Sequence, residues 1–524
     1  MAAQQLFLLS IVFYAAGAVL ALAVSRAQRL ASYVSAASTF VAALAGMGAA
    51  AAVLAGGETL TGQFASVVPF ARFTFDLDAL SALMLMALSL LAAATAVYSV
   101  AFDREFAGAG AGVLGFLNNV FILSMVLVIA SANAFYFLVF WEIMTLASFF
   151  LVAYRQDDEA LHAGILYFAV AHVAAAALIV AFVLLFLHAG SFDFAVIRDA
   201  QLPPAVRHLV FALAFFGFGV KAGVVPFHFW LPPAYAAAPA TMSALMSSKV
   251  AVYALVRVGL DVLRVNDGGW GLFVLAVGGL STILGILYAV NENNLGRLLA
   301  YSSTENVGIM LLGIGAGMIG AASGNGLLAA LGIMAGLFHL VNHAVFKGLL
   351  FLSAGAVACR AGTMRMEALG GLGRRMPWTA AAFVTGALAI SAVPPLNGFV
   401  SEWLVYQSLF AVGSAGGSSV RVLAPLAAVI LALAGALAAM ALVKAYGITF
   451  GGPARGERAR GAVEVPGAMV AGMALLAAAC VALGLGAAAG AAAVARAAAE
   501  AVGTAPLPVR AGLAVVAGNP AGPG

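Results

Sequence analysis

Long apolar stretches follow one another along nearly the whole of this chain, and they constrain its fold more than any other feature. Each is about 20 residues long, which is the length that an α-helix needs to cross a lipid bilayer. The composition agrees, since 64% of the residues are hydrophobic and 8% are charged. A soluble domain would be about half apolar and a quarter charged. The sequence therefore predicts an all-α polytopic membrane protein.

The number of membrane spans can be counted from these stretches, and it comes to about fourteen. The first stretch, Leu6 to Val24, lacks a basic segment before it and is itself long enough to span, so it is interpreted as a helix and not as a signal peptide. The predicted spans begin near Leu6, Leu30, Leu80, Val113, Asn133, Leu161, His208, Thr241, Leu272, Ser303, Leu327, Pro377, Val422 and Val465.

Arginines in the loops predict an orientation. If the spans alternate in direction, one side of the membrane collects many more arginines than the other, and the positive-inside rule places that side in the cytoplasm. Both termini then lie on the periplasmic side of a bacterial inner membrane. Because these arginines lie between apolar spans, they indicate topology and not nucleic-acid binding. The rich side holds Arg26, Arg29, Arg104, Arg155, Arg297, Arg360, Arg365, Arg374, Arg375, Arg455, Arg458 and Arg460, and the other side holds Arg72, Arg198, Arg207, Arg264 and Arg421.

The four lysines avoid the loops. Lys221, Lys249, Lys347 and Lys444 all fall within or at the end of apolar spans. A charge at the bilayer centre is unfavourable by at least about 2.5–3.5 kcal/mol, so such a residue is a functional candidate. An arginine keeps its proton in a protein, whereas a lysine removed from water can release it. The buried lysines therefore indicate proton transfer, although Lys444, near a span end, also suits a structural role.

Other ionisable side chains extend this set. Glu142 lies in the fifth span and Glu402 in the twelfth, and His339 and His343 share one face of the eleventh span with Lys347. The histidine spacing would suit zinc, but no third ligand is evident, so a proton relay is the preferred interpretation. His172 is a weaker candidate that would also suit a buried core position, and His228 is a further weak candidate. The two cysteines, Cys359 and Cys480, are too far apart for a metal motif.

Glycine and proline clusters predict two broken helices. Pro226, Pro232 and Pro233 follow Lys221 in the seventh span, and Pro394 and Pro395 precede Glu402 in the twelfth. Proline removes a backbone donor and clashes with the preceding turn, so neither span can be a continuous helix. Paired interruptions are typical of transporters built from inverted repeats. We therefore predict two inverted five-helix repeats, at 113–265 and 270–451, between three N-terminal helices at 1–112 and a last helix with its tail at 452–524.

Several strings in the same spans resemble a known family. The chain is similar, from about Gly115 to Phe450, to the proton-translocating antiporter-like subunits of complex I, multisubunit sodium/proton antiporters and group 4 hydrogenases. The sequence of these strings is most similar to that of the membrane subunit of hydrogenase-4 and formate hydrogenlyase. The strings are FWEIMTLASFFLV, KAGVVPFHFWLPPAYAAAPATMSALMSSK, NNLGRLLAYSSTENVGIMLLG, HLVNHAVFKGLLFLSAGAV and PPLNGFVSEW.

The resemblance implies roles for individual residues. It implies a pair between Glu142 and Lys221, with transfer onward through Lys249. It implies a relay at His339, His343 and Lys347 and a terminal charged group at Glu402.

The chain departs from the family pattern at two places. Tyr235 stands where the family string has histidine, and the sequence ends soon after the fourteenth span.

The resemblance also implies partners and cofactors. We expect other membrane and peripheral subunits of a hydrogenase or complex I-like assembly, and we expect nickel–iron centres, iron–sulfur centres or quinone on those subunits. No haem, flavin or nucleotide motif is found in this chain. The alternatives are a subunit of a sodium/proton antiporter and a membrane anchor that does not conduct.

Overall fold

Hydrophobic helices form almost the entire structure, a computed structural model that describes residues 2–66, 68–69, 71–107, 110–265, 267–415 and 417–507. In these residues, thirteen helical stretches are long and apolar enough to cross a membrane. The predicted twelfth span is a fourteenth crossing made of two shorter helices on either side of a break. The predicted all-α membrane architecture is thereby confirmed.

The N-terminal part has three helices and a short hairpin that the sequence did not reveal. The hairpin joins the second and third helices, and Gly62 on its first strand faces the Phe75 ring so closely that a Cβ there would lie 2.3 Å from it. Phe75 also packs against Phe7 with a centroid distance of 5.2 Å, which fixes the hairpin over the first helix. The elements are α1 (Ala2–Ala23), α2 (Gln28–Gly56), β1 (Leu60–Phe64), β2 (Phe73–Leu77) and α3 (Ala79–Ala107).

The next elements correspond to the first predicted repeat, with α4 beginning two residues before it. They are α4 (Ala111–Ala130), α5 (Ala134–Val152), α6 (Asp158–Ala189), α7 (Phe194–Asp199), α8 (Pro204–Ala222), α9 (Leu231–Ala237), α10 (Ala240–Met246), α11 (Val250–Val256) and a π-helix (Arg257–Val262). The seventh span consists of α8 and α9, and the eighth consists of α10, α11 and the π-helix.

The second predicted repeat and the C-terminal part follow. They contain α12 (Gly268–Asn291), α13 (Leu295–Ala322), α14 (Gly326–Ala361), two short 3₁₀ turns (Met366–Ala368 and Leu372–Arg374), α15 (Pro377–Ile390), α16 (Asn397–Ala415), α17 (Ser418–Phe450), α18 (Glu457–Gly461), α19 (Gly467–Leu485) and α20 (Ala487–Val502). The boundaries assigned to the two repeats stay predictions.

Both predicted helix breaks are present. The seventh span is interrupted directly after Lys221, where α8 ends at Ala222 and Gly223 adopts a left-handed φ of +87°. The twelfth span is interrupted between Ile390 and Asn397. Proline thus acts at both places as expected.

A third break, which the sequence did not reveal, divides the eighth span. The backbone leaves the helix at Ser247 and resumes at Val250, with Lys249 in the left-handed region at φ +52°. Residues other than glycine rarely adopt this conformation, because it strains the backbone. Such strain concentrates at functional sites.

Close helix packing explains the many glycines of the second half. A Cβ on Gly332 of α14 would lie 2.2 Å from the backbone nitrogen of Gly317 on α13. A Cβ on Gly308 of α13 would lie 2.4 Å from the nitrogen of Thr282 on α12. Small residues allow helices to approach in membranes, where no hydrophobic force drives their association. These contacts bring three helices of the second half into one tight layer.

The loops lie at two opposite faces of the helix bundle. Loops that alternating spans would place on the same side of the membrane are found together. The arginine-rich face is defined by contacts among the loops near Arg26, Gly110, Arg155, Asn294, Arg365 and Gly451. The hairpin face, opposite to it, holds the β-hairpin and the loops near Ser131, Asp193, Arg198 and Asp261.

This grouping gives a direct test of orientation. If the arginine-rich face is cytoplasmic, as the positive-inside rule predicts, cysteines placed beside Arg155, Arg297, Arg374 and Arg458 will be protected from a membrane-impermeant thiol reagent in intact cells. A cysteine beside Arg72 on the hairpin face is the matched control and will react. Labelling of two or more of the first four would overturn the orientation.

Candidate functional site

Lys221, at the end of the first part of the broken seventh span, is held by two hydroxyl groups. Its Nζ donates to Thr145 Oγ1 at 2.7 Å and to Tyr167 OH at 2.5 Å. The break at Gly223 ends α8 beside this lysine. A glycine in the same helix, Gly217, allows α8 to approach Leu178 of α6, because a Cβ there would lie 2.6 Å from the leucine side chain. The local sequence thus places a charged group among polar partners inside the bundle.

Glu142 does not contact Lys221, and the direct pair implied by the resemblance is not formed in this structure. Instead, Glu142 Oε2 lies 3.5 Å from Nε2 of His172 on α6. Glu142 still interacts electrostatically with Lys221 at longer range. The two side chains lie on different sides of α5, which explains why the pair does not form. Glu142 lies on the outer side, while Thr145, one turn further, points inward to Lys221.

His172 and Glu142 lie on the lateral surface of the helix bundle. Their side chains are 47% and 34% exposed, so the interpretation of His172 as a buried core histidine is wrong. Neighbouring exposed side chains on the same helices, including Ile143, Leu146 and Val173, are apolar. A polar pair is therefore presented at membrane depth from an otherwise apolar surface.

A small cavity of about 50 Å³ separates Lys221 from Lys249. Tyr167, Tyr235 and Ser248 line it together with the two lysines and several apolar side chains. A buried water needs about 10–15 Å³ of such space and two to four polar partners. The cavity can therefore hold a few waters that would connect the two ammonium groups.

Lys249 is the most weakly held of the buried lysines. It is 4% exposed, and among the described residues its Nζ donates to Ala222 O and Tyr235 OH, both at 3.4 Å. Tyr235 donates in turn to Met246 O at 3.2 Å. The hydroxyl of Tyr235, where the family string has histidine, thus keeps a group that can carry a proton beside Lys249. Long contacts and left-handed backbone together leave Lys249 poorly stabilised.

The eleventh span carries three of the predicted residues on α14. His343 Nδ1 lies 3.0 Å from Ser247 O, at the break of the eighth span. Lys347 donates to Leu299 O at 2.7 Å and makes a short hydrogen bond to Ser302 Oγ. This helix therefore joins the break beside Lys249 to α13.

His339 continues the line toward the twelfth span. Its two ring nitrogens lie 3.0 Å from Asn306 Oδ1 and from Ser401 Oγ. Glu402, the next residue after Ser401, is 6% exposed inside the bundle. The two histidines of α14 have different partners, and no group of three or more side chains suited to a metal occurs in the described part of the chain.

Glu305 is a site residue that the sequence analysis overlooked. It lies in the middle of α13, is 2% exposed, and interacts electrostatically with Lys347 and Glu402. Its Oε2 accepts a hydrogen bond from Asn306 Nδ2 at 3.4 Å. The rule that selected the lysines, a charge within an apolar span, would have identified it too.

Two weaker candidates lie away from this line. His228 sits within the break of the seventh span, with its ring 5.7 Å from that of Tyr288. Lys444 donates to Val290 O at 2.8 Å and to Glu292 O at 2.9 Å, at the end of α12. It satisfies carbonyls that a helix end leaves free, so its placement favours the structural role.

The polar residues thus form one buried line through both halves of the protein. Lys221 and Lys249 share the cavity, and His343 and Lys347 follow on α14 beside the break at Lys249. Lys347 interacts electrostatically with Glu305, which interacts in turn with Glu402 at the end of the line. Each member can bind and release a proton, and the cavity can hold water between Lys221 and Lys249. The line can therefore move protons through an apolar interior, provided that its members change their proton affinity in turn.

Comparisons with known proteins find similar membrane subunits. Residues 131–427 match the family described as NADH:quinone oxidoreductase/Mrp antiporter, transmembrane. Hydrogenase-4 component B of Escherichia coli (strain K12) is 44% identical, over 99% of this chain and 78% of that protein. Formate hydrogenlyase subunit 3 of the same organism is 36% identical, over 92% of this chain and 77% of that protein.

Solved structures share the fold. A chain of the Mrp complex from Dietzia sp. DQ12-45-1b superimposes with a TM-score of 0.81 at 24% identity, covering 95% of this chain and 97% of that one. A chain of respiratory complex I from Thermus thermophilus gives 0.78 at 22% identity, covering 96% and 100%.

The environments of two lysines predict different effects of their substitution on stability. In Lys444→Met, the loss of hydrogen bonds from a charged group will cost about 1.5–3 kcal/mol. In Lys249→Met, a poorly bonded buried charge is removed, so the complex will be as stable as the wild type or more stable. Thermal unfolding of the purified complex measures both. An equal loss of stability in Lys249→Met would mark Lys249 as a structural residue.

Proposed function

Because this chain belongs to the NADH:quinone oxidoreductase/Mrp antiporter family of transmembrane subunits, we propose that it conducts protons as an antiporter-like subunit of a redox-driven membrane complex. The observation that carries the proposal is the buried line from Lys221 to Glu402. Three of its members are lysines in membrane spans, where each charge is unfavourable and a merely structural role would favour apolar side chains.

The parent complex is proposed from the relatives. Two of them are named for hydrogenase-4 and formate hydrogenlyase, so we expect a hydrogenase of this kind in a bacterial cytoplasmic membrane. Electron transfer would take place on partner subunits that carry nickel–iron centres, iron–sulfur centres or quinone. This chain would supply the proton path.

A neighbouring membrane subunit is expected against α5 and α6. Glu142 and His172 are partly exposed there at membrane depth, and lipid would leave this polar pair without further partners. A subunit that presents a polar or ionisable group would satisfy it. The longer-range interaction between Glu142 and Lys221 would then connect events in that subunit to the first lysine of the line.

Protons would enter from the arginine-rich face. A cavity of about 870 Å³ opens there between Arg155, Arg297 and Arg365, and it reaches Ala236–Ala240 next to Tyr235 and Gly355 of α14. Tyr235 hydrogen-bonds Lys249. The cavity therefore brings water to within a few residues of the line.

The energies involved are of the right size. Moving one charge against 100 mV costs about 2.3 kcal/mol. Two unit charges 4 Å apart interact by about 4 kcal/mol at an effective dielectric constant of 20. The energy of one close contact between a lysine and a carboxylate, such as would form if Glu142 approached Lys221, is therefore larger than the energy that moves one proton.

Two substitutions test this function. In Lys221→Met the first proton carrier is lost, and in Glu142→Gln the charge that acts on it is lost. We expect both complexes to assemble and to transfer electrons, with fewer protons translocated per electron than in the wild type. The measurement is proton uptake by proteoliposomes during turnover.

The same assay separates the alternatives. A wild-type proton-to-electron ratio in both assembled variants would refute proton conduction along this line and leave the anchor interpretation. Dependence of transport on sodium, with dissipation of a sodium gradient, would favour the sodium/proton antiporter. A relative from Alkalihalophilus pseudofirmus that is 27% identical is named as a subunit of such an antiporter.

A further inference from the structure

A second set of buried polar groups lies between the break at Lys249 and the hairpin face. Tyr253, Arg257 and Asp261 follow Lys249 at intervals of four residues, along one stripe of α11 and the π-helix. Residues four apart on a helix are neighbours. The proposed function makes no use of these groups, although Arg257 is only 6% exposed.

Arg257 holds two carboxylates from different parts of the chain. Its Nη2 donates to Asp78 Oδ1 at 2.5 Å and to Ser81 Oγ at 3.0 Å. Its Nη1 donates to Asp261 Oδ2 at 2.7 Å. We call Asp78, Ser81, Arg198, Tyr253, Arg257 and Asp261 the Arg257 cluster.

The cluster extends in both directions. Toward Lys249, Tyr253 OH lies 3.3 Å from Arg257 Nε and 2.9 Å from Ser81 Oγ. Toward the hairpin face, Arg198 donates to Asp261 at 2.7 Å, and the side chain of Arg198 is 28% exposed. Polar groups therefore extend from Tyr253, four residues after Lys249, to the surface without passing through α14.

Open space reaches the outer end of the cluster. A cavity of about 500 Å³ is lined by Asp261, Arg264 and Glu500. A second cavity, of about 240 Å³, lies on the other side of Glu500 and is lined by Ala79, whose N–H donates to Glu500 Oε2 at 2.8 Å. Water at the hairpin face can therefore approach Asp261, whereas Arg257 lies deeper.

Arginine has the chemistry of a barrier to protons. It keeps its proton in a protein and stays charged, and fixed positive charges exclude protons from water-filled pores. Here the guanidinium also binds one oxygen of each carboxylate, so a proton that binds Asp78 removes the negative charge that holds Arg257 in place. Hydroxyls and carboxylates alone would form a conducting path, and Arg257 interrupts it. The π-helix that begins at Arg257 is a distortion often found at functional sites.

We propose that the Arg257 cluster is an electrostatic barrier that prevents protons at the hairpin face from reaching Lys249. The proposal rests on the proposed function, since a barrier matters only if Lys249 belongs to a proton path. In this arrangement the barrier is closed, and a proton passes only when Arg257 separates from Asp78.

The test is passive proton leak through proteoliposomes that contain the complex without an electron donor. In Arg257→Gln with Asp78→Asn, one positive and one negative charge are removed together, and Asp261 keeps Arg198. We expect the leak to rise by about tenfold, which corresponds to about 1.4 kcal/mol of barrier. Adding Tyr253→Phe, which removes the hydroxyl of the cluster nearest in sequence to Lys249, will return the leak to the wild-type value. Tyr253→Phe alone will leave the leak unchanged.

Two results would overturn the barrier: a wild-type leak in the assembled double variant, or a raised leak that Tyr253→Phe does not reduce, which would indicate loosened packing. If the double variant does not assemble, Arg257→Lys decides, because it keeps the charge of the ion pair but can release its proton. A wild-type leak in Arg257→Lys would then reject the proposal. The leak needs no turnover, so its outcome is separable from the proton-to-electron ratio that tests the proposed function.

Discussion

Positive charge buried in an apolar membrane interior is the constraint on which the rest of this structure depends. Each ammonium group costs at least about 2.5–3.5 kcal/mol there, so the chain must supply polar partners at membrane depth. Broken helices supply them: the interruptions of the seventh and eighth spans expose Ala222 O and Ser247 O to Lys249 and His343. Irregular backbone is in turn tolerated at this depth only where protein or water satisfies it. The breaks and the charges therefore require each other.

The buried lysines are not held equally, and this difference suggests how the line could work. Lys221 and Lys347 each have two firm acceptors, whereas the two hydrogen bonds of Lys249 are 3.4 Å long and its backbone is strained. Lys249 also lies at a junction. It lines the cavity that it shares with Lys221, it is two residues from the Ser247 carbonyl that contacts His343, and it directly precedes the helix that leads to Arg257. A weakly stabilised group at such a junction can exchange its partners at little cost, while the firmly bonded lysines keep their positions.

Much of the fold could be predicted from the sequence because hydrophobic length and proline act locally. The spans, the breaks after Lys221 and before Glu402, and the buried lysines all follow from such local signals. The break at Lys249 could not be predicted, because neither glycine nor proline marks it. The contact of Glu142 with His172 depends on how α5 is rotated against α6, and the ion pair between Asp78 and Arg257 joins residues 179 positions apart. Glu305 could have been predicted, since it stands within an apolar span as Glu142 does.

The central claim, that the line of buried groups conducts protons and does not only fill the bundle, is tested most directly at the junction. Protons translocated per electron should be measured in proteoliposomes with the Lys249→Met complex and with the Lys444→Met complex as the matched control. The account predicts a reduced ratio in Lys249→Met and a wild-type ratio in Lys444→Met, with electron transfer retained in both. A wild-type ratio in the assembled Lys249→Met complex would contradict it.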